Sequence, residues 1–108
     1  MDAAQALADL TEISAQIDAA VVASADGTVF AATVPEDAAA TLVRATSGLL
    51  REAGERAVGV EARTRDASVL AVRDGVHMVG ALAAHGAASG LVFYDLRTCL
   101  RRLEDEAA

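Results

Sequence analysis

The sequence predicts an α+β domain, a three-layer α/β/α sandwich around a five-stranded antiparallel sheet. The expected order is helix, two strands, long helix, three strands, helix. Three observations carry this. Asp26-Gly27 and Asp74-Gly75 each stand between apolar runs, a strong short-range hairpin signal. Other segments carry apolar residues at helical spacing instead of alternation. Connections short enough to be hairpins require antiparallel pairs, and a sheet that is apolar on both sides needs helices over both faces. With 108 residues, the chain (1–108) fits one domain whose core needs no disulfide or metal.

Asp2 to Ile13 reads as the first helix. Asp2 is placed to cap it, with Gln5 in the capping-box position. Ala6, Leu10, Ile13 and Ile17 recur at spacings of three and four and are expected to share a face. Ala19 to Ser24 is a short apolar run and the first strand. A turn at Asp26-Gly27, with positive φ expected at both central residues, returns the chain into Val29 to Thr33.

Val34-Pro35 ends that strand and opens a long helix, Pro35 to Ala57. Proline suits the first helical position, and the residue before it avoids helical angles. Glu36 and Asp37 complement the dipole at the start, and Arg56 does so near the end. Ala38, Leu42, Ala45, Leu49 and Ala53 form one apolar stripe. Ala39, Val43, Thr46 and Leu50 form a second, with Ser47 and Gly54 on its far edge. Arg44, Arg51, Glu52 and Glu55 take the opposite side. A surface helix needs an apolar arc of roughly 100°, and this one spans about 160° on the same wheel. One stripe can pack on the parent domain; the other asks for a partner. Gly48, on the polar side, weakens the helix by about 1 kcal/mol relative to alanine, and close approach of a partner backbone is one reason to keep it.

Three strands follow. Val58 to Thr64 alternates Val58, Val60, Ala62 and Thr64 against Gly59, Glu61 and Arg63, the pattern of a half-buried strand. Ser68 to Arg73 is more continuously apolar, as an inner strand would be. Asp74-Gly75 turns the chain into Val76 to Ala83. Ser89 is placed to cap a final helix to about Glu104, with Val92, Leu96, Cys99, Leu100 and Leu103 on its buried face. Of Phe93 and Tyr94, one is expected on the sheet and the other at the surface.

Composition excludes several classes. Apolar residues make up 54%, too many for a disordered chain. The net charge is −7, and phosphate neutralisation needs clustered Lys and Arg, so nucleic-acid binding is not expected. An anionic surface also disfavours acidic lipid. No basic leader and no run of 18 apolar residues is present, so neither a signal peptide nor a membrane span is expected. A single cysteine, Cys99, allows no internal disulfide, which fits a cytoplasmic location.

No catalytic, cofactor or metal site is expected. His77 and His85 are the only histidines, short of the three or four convergent ligands that zinc needs. Cys99 falls at the apolar spacing of a helix with no activating neighbour, the place of an inert buried thiol. The acidic residues show no spaced pair suited to acid–base work. The glycines sit in hairpins and helices and form no phosphate loop.

Four pieces carry a family likeness: Ala20-Val21-Val22-Ala23-Ser24-Ala25-Asp26-Gly27, Ala45-Thr46-Ser47-Gly48-Leu49, Asp74-Gly75-Val76-His77-Met78-Val79, and Gly90-Leu91-Val92-Phe93-Tyr94-Asp95-Leu96. In this order and spacing, over nearly the whole chain, the sequence resembles the roadblock (dynein light-chain) domain of the bacterial, actinobacterial type. It departs from that pattern at Gly86-Ala87-Ala88-Ser89, where relatives carry a polar turn.

The resemblance implies a non-catalytic homodimer joined through the second helix and the strand after it, serving as a scaffold or regulator for a small Ras-like GTPase. Carried onto this chain, the seam would comprise Ala39, Val43, Thr46, Ser47, Leu50 and Gly54 from the second stripe, and Val58, Val60, Glu61, Ala62 and Arg63 from the strand. The alternative is a small-molecule-binding sensory module that uses sheet and helices as a pocket, a reading that rests on fold analogy alone.

Overall fold

The computed structural model describes residues 2–107. It realises the expected order as α1 (Ala3–Ile13), β1 (Ile17–Ser24), β2 (Val29–Ala32), α2 (Glu36–Ala53), β3 (Gly59–Arg63), β4 (Ala67–Arg73), β5 (His77–Ala84) and α3 (Ser89–Ala107). All strands belong to one sheet in the order β2-β1-β5-β4-β3, and every pairing is antiparallel. β2 and β3 are therefore its two edges.

Local chemistry sets the element ends. The Asp2 carboxylate accepts the Gln5 backbone N–H at 2.8 Å, as a cap should. The Gln5 side chain does not close a capping box; it reaches forward to Asp9 at 2.9 Å. Ile17 belongs to β1 and Ile13 is 61% exposed, so the inward face of α1 is Ala6, Leu7 and Leu10. α2 stops at Gly54, whose φ of +99° suits glycine, four residues earlier than the periodicity suggests. Arg56 thus lies beyond the helix, and Arg51 is the basic residue of its last turn. Ser89 does not cap α3 with its side chain: its hydroxyl donates to Glu61 on β3.

Both Asp-Gly turns form, but with positive φ only at Gly27 and Gly75. The aspartates act through their carboxylates. Asp26 accepts from the Thr28 N–H at 3.1 Å, and Asp74 accepts from the N–H groups of Val76 and His77 at 2.9 and 2.8 Å.

The core has two halves. On one face α1 and α3 cover the sheet, burying Leu7, Leu10, Leu96, Cys99 and Leu103 against Val22, Leu70, Val72 and Val79. On the other face α2 lies alone, with Ala39, Leu42, Val43 and Leu50 against Ala19, Val21, Ala71 and Met78. This is the expected three-layer packing. Phe93 packs on the first core half and Tyr94 points outward, 63% exposed.

Candidate functional site

The orientation of α2 decides which surface is open to a partner. Ala39, Val43, Thr46 and Leu50, the stripe expected at a dimer seam, face the chain's own sheet and are buried. In the folded chain these four are therefore not on the outer surface of α2. The physical reason lies on β5, where Gly80 has no side chain and Thr46 fills the space: a Cβ at Gly80 would overlap the Thr46 hydroxyl. Seating Thr46 there rotates the second stripe inward.

The stripe left outside is Ala38, Ala45 and Leu49, with Leu42 at the boundary. Ala38 and Ala53 are exposed, while Ala45 and Leu49 are half-buried. Beside them the sheet stays partly uncovered. An open groove of about 490 Å³ runs between the first turns of α2 and the sheet, lined by Val34, Ala38, Leu42, Ala45, Val69 and Leu82 among others. Val69 is paired with Ala62 on the edge strand β3, and Val60 and Ala62 share the α2 face. An apolar surface therefore extends from the flank of α2 toward a strand edge that carries no neighbour among the described residues.

The remaining seam residues are distributed as follows. Ser47 is half-buried on the opposite flank of α2, toward β2, and Gly54 is the residue that stops the helix. Val58, 62% exposed, precedes β3. Glu61 and Arg63 alternate to the α3 face. There Glu61 Oε2 accepts from Ser89 Oγ at 2.7 Å and from Arg63 Nε at 3.0 Å, and Arg63 also donates to Ser89 Oγ at 2.7 Å. The Ser89 hydroxyl and the Arg63 guanidinium hold the Glu61 carboxyl below the usual carboxylate range, against a smaller opposing effect of burial. This triangle ties the edge strand to the start of α3. At the other end of β3, Arg73 donates to the carbonyls of Ala57, at 2.8 Å, and of Gly54, fixing the chain between α2 and the strand.

Val34, Val69 and Leu82 did not stand out in the sequence as interface residues. The signal present was parity: Val69 and Ala71 on β4 alternate onto the same face as Met78, Gly80 and Leu82 on β5.

The histidines do not come together. His77 opens β5, half-buried, with Phe30 edge-on at 5.7 Å between ring centroids; His85 is exposed in the turn before α3. Burial raises the Cys99 thiol to about 11, and nearby Arg102 offsets this only in part. Among the described residues no three His, Cys, Asp or Glu side chains converge on one point, and no helix is long and apolar enough to cross a membrane.

No family model matches the sequence, and no curated protein is significantly similar to it. Solved structures are. A Roadblock/LC7 domain from Streptomyces avermitilis superposes with a TM-score of 0.87 at 16% identity, covering 99% of this chain and 98% of that one. A second Roadblock/LC7 domain from the same organism gives 0.77 at 24% identity, covering 91% and 94%. An MglB in a tetrameric arrangement gives 0.69 at 17%, covering 98% and 90%. The architecture is shared more widely, since a Schizosaccharomyces pombe profilin gives 0.64 at 14%, covering 96% and 98%. The strand order, the three layers and the near-complete superposition assign this chain the Roadblock/LC7 fold.

Proposed function

We propose that the chain is a non-catalytic scaffold or regulator that forms a homodimer and binds a small Ras-like GTPase. The observation that carries the reading is the apolar flank of α2, Ala38, Leu42, Ala45 and Leu49, running on to Val69, Leu82 and the open edge of β3. A second copy related by a two-fold axis would cover this surface with the same surface, as in any isologous contact. The backbone groups of β3 would pair with their counterparts, which removes an exposed edge.

The reading keeps Val60 and Ala62 at the seam and replaces the inward stripe by the outward one. Glu61 and Arg63 then lie beside it, while Ser47 falls on the opposite flank of α2 and Gly54 at its end. The roadblock resemblance of the sequence and the fold supports the choice of a second copy, and MglB is known in a tetrameric arrangement. The GTPase follows from the resemblance alone.

The immobilised protein, exposed to cytoplasmic extract of the parent cell supplied with GTP analogue or GDP, tests the partner. The expected result is retention of a guanine-nucleotide-binding protein in one nucleotide state and not the other. Retention of no such protein in either state contradicts a GTPase partner.

A further inference from the structure

Gly48 stands in the middle of α2, where glycine weakens a helix. The molecule itself gives no reason for it. Its φ is not positive, and a Cβ added there would meet, among the described residues, nothing within 4 Å beyond its chain neighbours and the backbone of its own helix. Gly80 shows the contrast, since its missing Cβ is what admits Thr46.

The space beside Gly48 is one wall of an open groove of about 540 Å³ between α2 and the β1–β2 hairpin. Val43, Arg44, Gly48 and Arg51 face Gly27 and Val29 across it. Ser47 and Arg51 also line a second depression, of about 270 Å³, at the end of α2, where Glu55 stands on the rim. The two together follow α2 from Ala40 to Gly54, about 21 Å at the rise of a helix. That length holds about six residues of extended chain.

Arginines outnumber carboxylates along the groove, with Arg44, Arg51 and Arg73 against Asp26 and Glu55. Arg44 and Arg51 are two turns apart, about 10 Å, on the same side of α2. Among the described residues the ion pairs are Glu61–Arg63 and Asp9–Arg102, so neither Arg44 nor Arg51 has a carboxylate partner. Asp26 on the rim is engaged in its own turn, accepting from Ser24 Oγ, from the Thr28 N–H at 3.1 Å and from Thr28 Oγ1 at 2.9 Å. Two unpaired arginines over an apolar floor, in a chain of net charge −7, complement an acidic ligand.

We infer that this groove docks an extended, acidic segment of a partner protein, about six residues long. Its apolar side chains rest on Val29, its carboxylates reach Arg44 and Arg51, and its backbone passes close to α2 where Gly48 leaves room. The groove lies on the flank of α2 opposite Ala38 and Ala45, so it stays open when that other flank is covered. The inference does not rest on the dimer.

A fluorescein-labelled octapeptide alternating valine and glutamate is the probe, and its valine–lysine counterpart is the control. Anisotropy at low salt is expected to show saturable binding of the first, about tenfold tighter than the second, and weakening as salt is raised. Gly48→Leu is the decisive variant. It removes a helical glycine and places its side chain in open space, so the melting temperature is expected to hold or rise while binding falls about tenfold or more. Arg44→Glu with Arg51→Glu is expected to do the same to binding. Neither change is expected to alter the mass in solution. No saturable binding up to ~1 mM peptide, equal binding of the lysine control, or full binding by Gly48→Leu overturns the inference.

Discussion

The two faces of the sheet are built differently. Toward α1 and α3 the sheet presents Val22, Leu70, Val72 and Val79, and two helices meet these larger side chains with leucines of their own. Toward α2 its middle strands present Ala19, Val21, Ala23, Ala71 and Gly80, with Met78 as the one large side chain near the start of β5. Small residues let one helix approach closely, with Thr46 seated directly on β5. A single helix sitting low over the middle strands cannot also cover the margins, so Val60, Val69 and Leu82 stay partly exposed. The closed face supplies stability, and the open margin supplies a surface on which association can be built.

The sharpest way to break the contrast is Gly80→Val. No shift of a flexible side-chain tip can accommodate a branched residue against Thr46, so α2 must lift. The expected loss is about 4 kcal/mol or more, read as denaturant midpoint or failure to fold. Next comes a matched pair of truncations. Leu96→Ala on the closed face is expected to cost about 3 kcal/mol, since Leu96 is fully buried. Leu49→Ala on the open margin is expected to cost less than about 1 kcal/mol under dilute, monomeric conditions. Equal losses would mean that the two faces are equally closed.

Smaller again is Thr46→Val. The Thr46 hydroxyl is buried without a hydrogen-bond partner, and valine keeps its shape while removing the polar group. Stability is expected to rise by about 1 kcal/mol in urea titrations. A fall would show that the hydroxyl has a partner in solution.

A different lever is pH. Cys99 lies on the closed face with its thiol raised to about 11. An unfolded thiol titrates near ~8.5. A group raised on folding contributes stability that is full below the unfolded value and lost as pH rises through about 11. Thiol labelling at mildly alkaline pH should therefore proceed only through opening of the chain. Rapid labelling under native conditions would show that the α1–α3 layer is loose.

The sequence makes the element order, both turns, the buried face of α3 and the burial of Cys99 legible, because each is a local pattern. The rotation of α2 is not legible in this way. Periodicity locates an apolar arc of about 160°, but it does not say which part meets the chain's own sheet. That choice is made by Thr46 against Gly80, residues more than thirty positions apart, and a threonine in the arc gives no local hint that it is the deepest residue. Ile13 misleads for the opposite reason: its spacing fits the face of α1, but the helix ends there and the side chain falls outside the layer. Gly54 ends α2 through its positive φ; a glycine suits a helix end, although the expected helix runs on to Ala57. Gly48 was visible as an oddity, and only the empty space around it gives the oddity a direction.

The outward flank of α2 and the edge of β3 are proposed as the place where two copies meet. Light scattering on the unmodified protein beside Leu49→Glu tests this most directly. At micromolar concentration the unmodified protein is expected near ~22 kDa, twice the chain mass of 11.0 kDa. Leu49→Glu is expected at ~11 kDa with its fold intact by circular dichroism, since a carboxylate cannot be buried unpaired at the seam. An unmodified protein that stays near ~11 kDa at every concentration, or a Leu49→Glu variant that remains double that mass, contradicts it.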